Sequence, residues 1–158
     1  MILKNKISQW LEKGEIKREI VHPKDICKLL YRALKDIKAA KDNLDSNEEI
    51  SYMAAYLAVL RAGRAFMFAH GYRPSGNAHH KITFEFSGAV LGKDFSLLVH
   101  KIDDMRKRRN QSTYDVEYID SISEDEAKSS ISDAHGFIKA IISFIKNQWP
   151  LESEYRKL

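Results

Sequence analysis

Cysteine is almost absent from this chain, since Cys27 is the single one among 158 residues. No internal disulfide can form, and no zinc site built from several cysteines can assemble within one chain. Histidine offers no substitute, because His79 and His80 are adjacent in the sequence. His100 and Asp104, one helical turn apart, would supply two ligands at most. We therefore predict no metal site, expect no cofactor, and infer a reducing compartment.

Long apolar runs are also absent, and none reaches the roughly 18 residues that a membrane-spanning helix needs. Near the N-terminus, Lys4 and Lys6 interrupt the apolar residues. These features predict a cytoplasmic protein without membrane association. With 44% hydrophobic and 30% charged residues, 3 prolines and 7 glycines, the composition is typical of a helix-rich globular protein. The length suits one hydrophobic core, so we expect a single domain over residues 1–158.

The chain carries no large excess of one charge. Its 26 basic and 22 acidic residues give a net charge of +4, which does not by itself indicate a nucleic-acid partner. The basic residues are nevertheless clustered. Residues 106–109 read Arg-Lys-Arg-Arg, and Arg64 and Arg73 precede the pair His79-His80. We interpret these clusters as candidate parts of one basic face.

Apolar residues recur at helical spacing along most of the chain, which predicts an all-α fold, an antiparallel up-and-down bundle of five to six helices. The predicted helices run from Ile2 to about Ile16, from Pro23 to about Leu44, from Asn47 to about His70, from His79 to Leu91, from Asp94 to about Arg109, and from Ser123 to Trp149. Ser46 with Glu49, and Ser123 with Glu126, have the spacing of a capping box. These serines are therefore expected to start the third and the last helix.

Three segments are predicted to lie outside helices. Tyr72 to Asn77 contains proline, glycine, serine and asparagine, which together favour a loop. Residues 110–122 lack periodicity, and residues 151–158 are predicted to form a tail. The alternation of apolar residues from Ile82 to Phe86 also fits a strand, but no partner strand is evident, so a helix is preferred there.

Four groups of residues occur in an order that is typical of a known family. They are Tyr56-Leu57-Ala58 with Arg64-Ala65, Gly71-Tyr72-Arg73-Pro74 with His79-His80-Lys81, Arg109-Asn110-Gln111-Ser112-Thr113-Tyr114-Asp115, and Ser123-Glu124-Asp125-Glu126-Ala127 with Ala134 and Phe137. Their order resembles that of the HEPN domain, named for higher eukaryotes and prokaryotes nucleotide-binding. The resemblance covers about residues 25–145 and is greatest to short prokaryotic members. The N-terminal helix and the C-terminal tail lie outside it.

The resemblance implies a helical bundle that commonly forms a homodimer and, in many members, a metal-independent endoribonuclease. Several prokaryotic members are toxins that are paired with a minimal nucleotidyltransferase antitoxin. The family's active motif is an arginine, often followed by a polar residue such as asparagine, with a histidine after four to six intervening residues. Arg109 and Asn110 match its beginning. Tyr114 stands where the histidine is expected, and Asp115 follows it.

Cleavage of RNA without a metal ion needs a group that takes the 2′-hydroxyl proton and a cation that stabilises the charge on the phosphate. Arg109 suits the second role. Tyrosine, with an ordinary pKa near 10, is a poor general base. Unless a nearby cation such as Arg108 lowers the pKa of Tyr114, its presence at this position weakens the interpretation as a nuclease.

Two other places have the arginine-to-histidine spacing. Arg64 and His70 have it on one predicted helix, where they would point about 240° apart and would not converge. Arg73 and either His79 or His80 have it across the predicted loop, so they are able to approach each other or RNA.

Two hypotheses follow. In the first, the protein is an RNA-interacting, metal-independent endoribonuclease toxin, with the candidate catalytic residues Arg109, Asn110 and Tyr114 and the candidate binding residues Arg73, His79, His80, Arg106, Arg108 and Asp115. In the second, it is a non-catalytic dimerisation module that binds a nucleotide, RNA or an acidic protein partner. Turnover of RNA by the purified protein distinguishes the two.

Overall fold

The computed structural model of the protein describes residues 1–158 and contains seven α-helices and two short strands. In chain order the elements are α1 (Ile2–Glu12), β1 (Ile16–Arg18), α2 (Pro23–Asn43), α3 (Glu48–Ala69), β2 (Tyr72–Pro74), α4 (His79–Leu91), α5 (Ser96–Tyr114), α6 (Glu124–Gln148) and α7 (Ser153–Arg156). The predicted all-α helical bundle is confirmed. No helix is both long enough and apolar enough to cross a bilayer.

Helix α3 lies at the centre of the bundle and contacts α2, α4, α5 and α6. Its many alanines and its glycine allow neighbouring backbones to approach closely. A Cβ atom at Gly63 would lie 2.6 Å from Cγ2 of Thr83 on α4, so a larger residue would push the two helices apart. The main core of 27 buried residues surrounds α3 and includes side chains from α2 and from α4 to α7. This central position brings side chains of α3 to the junction between α4 and α5.

Contacts between α3 and α4 occur in the same order along both helices. Tyr56 contacts His80, Gly63 faces Thr83, and the His70 ring lies against Phe86. The two helices therefore run in the same general direction, and the segment between them carries the chain back along α3. As a result, the N-terminal turn of α4 lies beside the first half of α3.

The predicted loop from Tyr72 to Asn77 is partly wrong, because Tyr72–Pro74 forms β2 and pairs antiparallel with β1. The register joins Ile16 to Pro74 and Arg18 to Tyr72. Three residues are too few for a periodic pattern, so neither strand is visible in the sequence. Ile16 is buried in a second cluster with Met67, Ile82 and Phe86, which attaches the N-terminal segment to α3 and α4.

Two predicted helix boundaries in the first half of the chain also need correction. The first helix ends at Glu12 rather than near Ile16, and the chain turns at Gly14, whose φ of +68° favours glycine. Asn47, not Ser46, caps α3, because its side chain accepts a hydrogen bond from the Ile50 N–H at 3.0 Å. The capping box at Ser123 and Glu126 is confirmed.

The prediction that the fifth helix ends near Arg109 is wrong, since α5 continues to Tyr114. Ser112 is buried and its hydroxyl donates to the Arg109 carbonyl oxygen, so packing and local hydrogen bonding extend the helix through weak helix formers. The predicted C-terminal tail instead contains α7. Its Tyr155 is 4% exposed and packs against Trp149, because the tail folds back onto the core.

Candidate functional site

A hydrogen bond between α3 and α4 joins two polar side chains beside the core. The Tyr56 hydroxyl oxygen lies 2.8 Å from Nδ1 of His80. Tyr56 is 4% exposed, and its ring packs edge-on against Phe84 with centroids 6.2 Å apart. His80 is half-buried in the first turn of α4, and its other ring nitrogen, Nε2, has no hydrogen-bond partner in the chain. The tyrosine therefore fixes one side of the histidine ring and leaves the other side available.

Arg109 of α5 lies over the ring of Tyr56, with Cζ 5.8 Å from the ring centroid. Its Nη1 donates to the Asn110 side chain at 3.3 Å, while its Nε is buried without a partner. The Nε of Arg64, two turns after Tyr56 on α3, is also buried without a partner. A buried donor that lacks an acceptor costs free energy. Arg64 and Arg109 thus each keep a guanidinium donor that no acceptor of the chain satisfies.

The neighbouring arginines differ from this pair because each has an acidic partner. Arg61 pairs with Asp36 at 2.7 Å, Arg106 with Asp103 at 2.8 Å, and Arg108 with Glu126 at 2.9 Å. Burial alone raises the pKa of Asp103, but the hydrogen bond and charge of Arg106 outweigh this and lower it. Arg64 and Arg109 are thus the two arginines of this region whose positive charge is not matched within the chain.

Burial and the nearby arginines shift the pKa values of Tyr56 and His80. Burial raises the pKa of Tyr56 to about 12, against the opposing effect of Arg109, Arg106 and Arg64. Burial is also the largest cause that lowers the pKa of His80, and the charges of Arg64, Arg109, His79 and Arg106 lower it further. At neutral pH the tyrosine is therefore protonated and the histidine uncharged.

A comparison with protein-family models matches residues 26–147 to the HEPN domain. This chain belongs to the HEPN domain family. Neither the curated proteins nor the solved structures contain a significant match to it. Membership of the family indicates an RNA-related or nuclease-like function. The matched range agrees with the predicted one and contains every residue of the site, whereas α1, β1 and α7 lie outside it.

Within this HEPN domain, the structure brings together four of the predicted site residues, Arg106, Arg109, His79 and His80. It adds two that sequence reasoning did not assign to the site, Tyr56 and Arg64. Both occur in the motif that carried the resemblance, and that motif was the available signal. Together, Tyr56, Arg64, His79, His80, Arg106 and Arg109 are called the arginine–histidine cluster below.

Two predicted binding arginines make other contacts in the HEPN domain. Arg108 donates to both carboxylate oxygens of Glu126 and to Ser121, which ties α5 to the start of α6. Arg73 lies on β2 and pairs with Glu19 at 3.1 Å. Both arginines are therefore paired with carboxylates elsewhere and do not join the arginine–histidine cluster.

The predicted residues at the end of α5 are exposed to solvent. Tyr114 is 73% exposed and makes no hydrogen bond or aromatic contact in the chain. Five residues beyond Arg109, it lies about 140° further around the helix. Asp115 ends α5, and its carbonyl oxygen accepts from the Tyr118 N–H. In the HEPN domain described here, the residue at the motif's histidine position thus faces away from Arg109.

The rejected pair of Arg64 and His70 is also separated in the structure. His70 is enclosed by Phe66, Phe144 and Trp149, with ring centroids 4.8 to 5.7 Å away. Its Nδ1 lies 2.8 Å from the Phe66 carbonyl oxygen. His70 is therefore a packing residue of the core.

Proposed function

We propose that this HEPN protein binds RNA at the arginine–histidine cluster and cleaves it without a metal ion. The observation that carries the proposal is the pair of buried Nε atoms, on Arg64 and Arg109, that have no acceptor beside the Tyr56–His80 hydrogen bond. A phosphate group supplies several strong acceptor oxygens in a geometry that suits guanidinium donors. It would pair with the guanidinium groups of both arginines and neutralise their charge.

The first turn of α4 supports an anionic ligand as well. Its N-cap is Ala78, which has no side chain able to accept a hydrogen bond from the free backbone N–H groups. Uncapped helix N-termini favour phosphate, because their N–H donors and the helix dipole both attract negative charge. This turn carries His79 and His80, and its backbone N–H groups therefore add donors beside the two arginines.

In the proposed reaction, Arg64 and Arg109 stabilise the negative charge that builds up on the scissile phosphate. Asn110 and Tyr114, on the exposed end of α5, contact RNA that extends beyond the cluster. The products are one strand with a 2′,3′-cyclic phosphate and one with a 5′-hydroxyl. The biological role we propose is that of a toxin, acting as a homodimer and paired with a minimal nucleotidyltransferase. A gene for such a partner beside this one would support the pairing.

The nuclease proposal is tested with purified protein and labelled RNA in the presence of EDTA. The wild-type protein should cleave the RNA, and Arg109→Ala should lower the rate by about 100-fold or more, because a preorganised charge partner of the transition state is removed. Arg156→Ala is the matched control, since Arg156 is exposed on α7 and outside the matched family range. Equal rates for Arg109→Ala and wild type would contradict the proposal.

The second candidate function is a non-catalytic module that binds RNA or a nucleotide. It is favoured by one observation, the exposed Tyr114 at the position of the motif's histidine. Binding that Arg109→Ala weakens, together with no turnover by the wild-type protein, would select this function over the nuclease.

A further inference from the structure

The phosphate contacts proposed above for Arg64 and Arg109 do not use the hydrogen bond between Tyr56 and His80. We propose that His80 of α4 takes the proton of the RNA 2′-hydroxyl, in place of the histidine that α5 lacks, and that Tyr56 is the residue that positions it. This inference rests on the proposed nuclease function. It moves the proton acceptor to a different helix from the arginine of the family motif.

The geometry of the histidine ring supports this role. Nδ1 lies 2.8 Å from the Tyr56 hydroxyl oxygen, so Nδ1–H can donate to it. In that tautomer the lone pair of Nε2 is free, and Nε2 has no partner within the chain. A neutral imidazole held at one nitrogen and open at the other is the arrangement that a general base requires.

Tyr56 is itself held in place, which makes it suitable as a positioning residue. Its buried ring lies between Phe84, 6.2 Å away, and the Arg109 guanidinium, 5.8 Å away. The hydroxyl therefore has little freedom to move, and the histidine ring is oriented by a rigid partner. Tyr52, one turn earlier, is equally buried at 5% exposure, but its hydroxyl makes no hydrogen bond, so it serves as a matched control.

Titratable groups from three helices surround His80. Tyr56 and Arg64 approach from α3, His79 is its neighbour on α4, and Arg106 and Arg109 approach from α5. Burial and these cations lower the pKa of His80 and keep the ring uncharged at neutral pH. A bound phosphate offsets the cations, so the histidine is better able to accept a proton when RNA is present.

The reaction balances without a metal ion or a further reactant. The 2′-hydroxyl proton passes to Nε2 of His80, the 2′-oxygen bonds to phosphorus, and the bond from phosphorus to the 5′-oxygen breaks. The departing 5′-oxygen takes a proton from water. The imidazolium then returns its proton to the hydroxide that remains, which restores the neutral histidine.

The experiment measures cleavage of a labelled RNA by the full-length protein in EDTA between about pH 5 and 9. His80→Ala should lower kcat by about 100-fold or more with little change in KM, and imidazole added to the buffer should restore part of the rate. Tyr56→Phe should lower kcat by about 10-fold, the equivalent of one hydrogen bond, and shift the acidic limb of the pH profile. His135→Ala and Tyr52→Phe, which alter an exposed histidine and a buried tyrosine outside the cluster, should match the wild type.

The outcomes separate this inference from the proposed function. If the wild type cleaves, Arg109→Ala does not and His80→Ala cleaves at the wild-type rate, the role of His80 is overturned while the nuclease function stands. If Tyr56→Phe leaves both kcat and the pH profile unchanged, its positioning role is overturned. A wild-type protein that never cleaves overturns the nuclease function, and the inference with it. Should His80→Ala fail to fold by circular dichroism, His80→Gln takes its place.

Discussion

At the scale of single residues, two arginines of the cluster reduce the stability of the fold, because each buries a donor without an acceptor. Arg64 and Arg109 each have a buried Nε without an acceptor, whereas Arg61, beside Arg64 on the same helix, is satisfied by Asp36. Native proteins leave few buried donors unpaired, and the exceptions often mark sites of function. This difference is the reason that Arg64, and not Arg61, is assigned to the proposed phosphate site.

Most substitutions near a core destabilise the folded protein, whereas replacement of Arg64 should stabilise it. Arg64→Met keeps the side-chain length, removes the unpaired donor, and should raise the free energy of unfolding of the free protein by roughly 0.5–2 kcal/mol. For a chain of this size, 1 kcal/mol corresponds to about 2–4 °C in melting temperature. Thermal unfolding with and without phosphate or RNA measures both effects, since the variant should also lose the stabilisation that these ligands give the wild type.

The control for this variant is Arg156→Met, at an exposed position whose side chain makes no ion pair. It should leave both the melting temperature and the ligand effect unchanged. A melting temperature that falls for Arg64→Met while phosphate still stabilises the variant would mean that Arg64 supports the fold and not the site.

At the scale of elements, the junction between α5 and α6 is held by one carboxylate. Glu126 accepts the Ser123 backbone N–H at 3.0 Å and both donors of Arg108 at 2.9 and 3.2 Å. The hydrogen bond from Arg108 lowers the pKa of the Glu126 carboxyl. The same side chain thus caps α6 and joins it to α5 at Arg108, which lies between Arg106 and Arg109 of the cluster.

Glu126→Gln should separate these two roles. Glutamine still reaches the cap but loses the charge pair, so the free energy of unfolding at pH 7 should fall by about 1 kcal/mol or less, given the exposure of the pair. Because the folded pKa of Glu126 is lowered, its contribution is present above the ordinary value of 4.5 and is lost as pH falls below it. The free energy of unfolding in urea should therefore be lower for Glu126→Gln than for the wild type at pH 7, and the two values should be equal at about pH 3.5.

Glu124→Gln is the matched control, because Glu124 pairs with Lys128 at the exposed surface of the same helical turn. Its unfolding free energy should equal that of the wild type. A Glu126→Gln deficit that persists undiminished in acid would contradict the charge-pair explanation.

The elements differ in how far the sequence predicts them. Helices α2 and α6 follow from apolar periodicity and from their start signals, because each buries one face along many residues. Helix α4 has no start signal, and it is predicted only because its alternating apolar residues have no evident partner strand. The strands β1 and β2 do not, since each has three residues and their pairing joins positions more than fifty apart in the chain. The end of α5 was misplaced because tertiary packing of Ser112 outweighs the weak helix preference of its neighbours.

At the scale of the whole molecule, two histidines couple stability to pH. His70 is half-buried among aromatic rings and His80 is half-buried beside the arginines, and this burial is the main cause that lowers the pKa of each. In the unfolded chain both regain the ordinary value of 6.5 and bind protons more readily. Folding stability should therefore begin to fall as pH drops below about 6.5, before the carboxylates become protonated.

His70→Phe tests this coupling, because phenylalanine keeps the ring among Phe66, Phe144 and Trp149 but cannot bind a proton. The variant should lose part of the decline in the urea midpoint between about pH 6.5 and 5. His135→Ala, which alters an exposed histidine, should keep the full decline. If the urea midpoint declines equally with falling pH in His70→Phe and in the wild type, His70 is not the cause of the decline.

The site is only partly predictable from the sequence, because some of its contacts depend on how distant helices pack. Arg109 and Asn110 follow from a local motif, and the pair His79-His80 is visible as two adjacent residues. Tyr56 meets His80 across 24 positions of sequence, at a place set by the crossing of α3 and α4 and by the return of the chain through β2. Contacts of this kind depend on how helices pack, which periodicity does not report.

The strand pair at the N-terminal segment has a thermodynamic consequence for binding. The Glu19 N–H donates to the Gly71 carbonyl oxygen at 2.9 Å and the Ser75 N–H to the Glu15 carbonyl oxygen at 2.8 Å, so the chain that leads into α4 is held on both sides. The turn that carries His80 thus follows a segment that is fixed to the N-terminal part of the chain. A ligand at this site would lose little affinity to the ordering of the protein, and its binding strength would depend mainly on charge and on the removal of water.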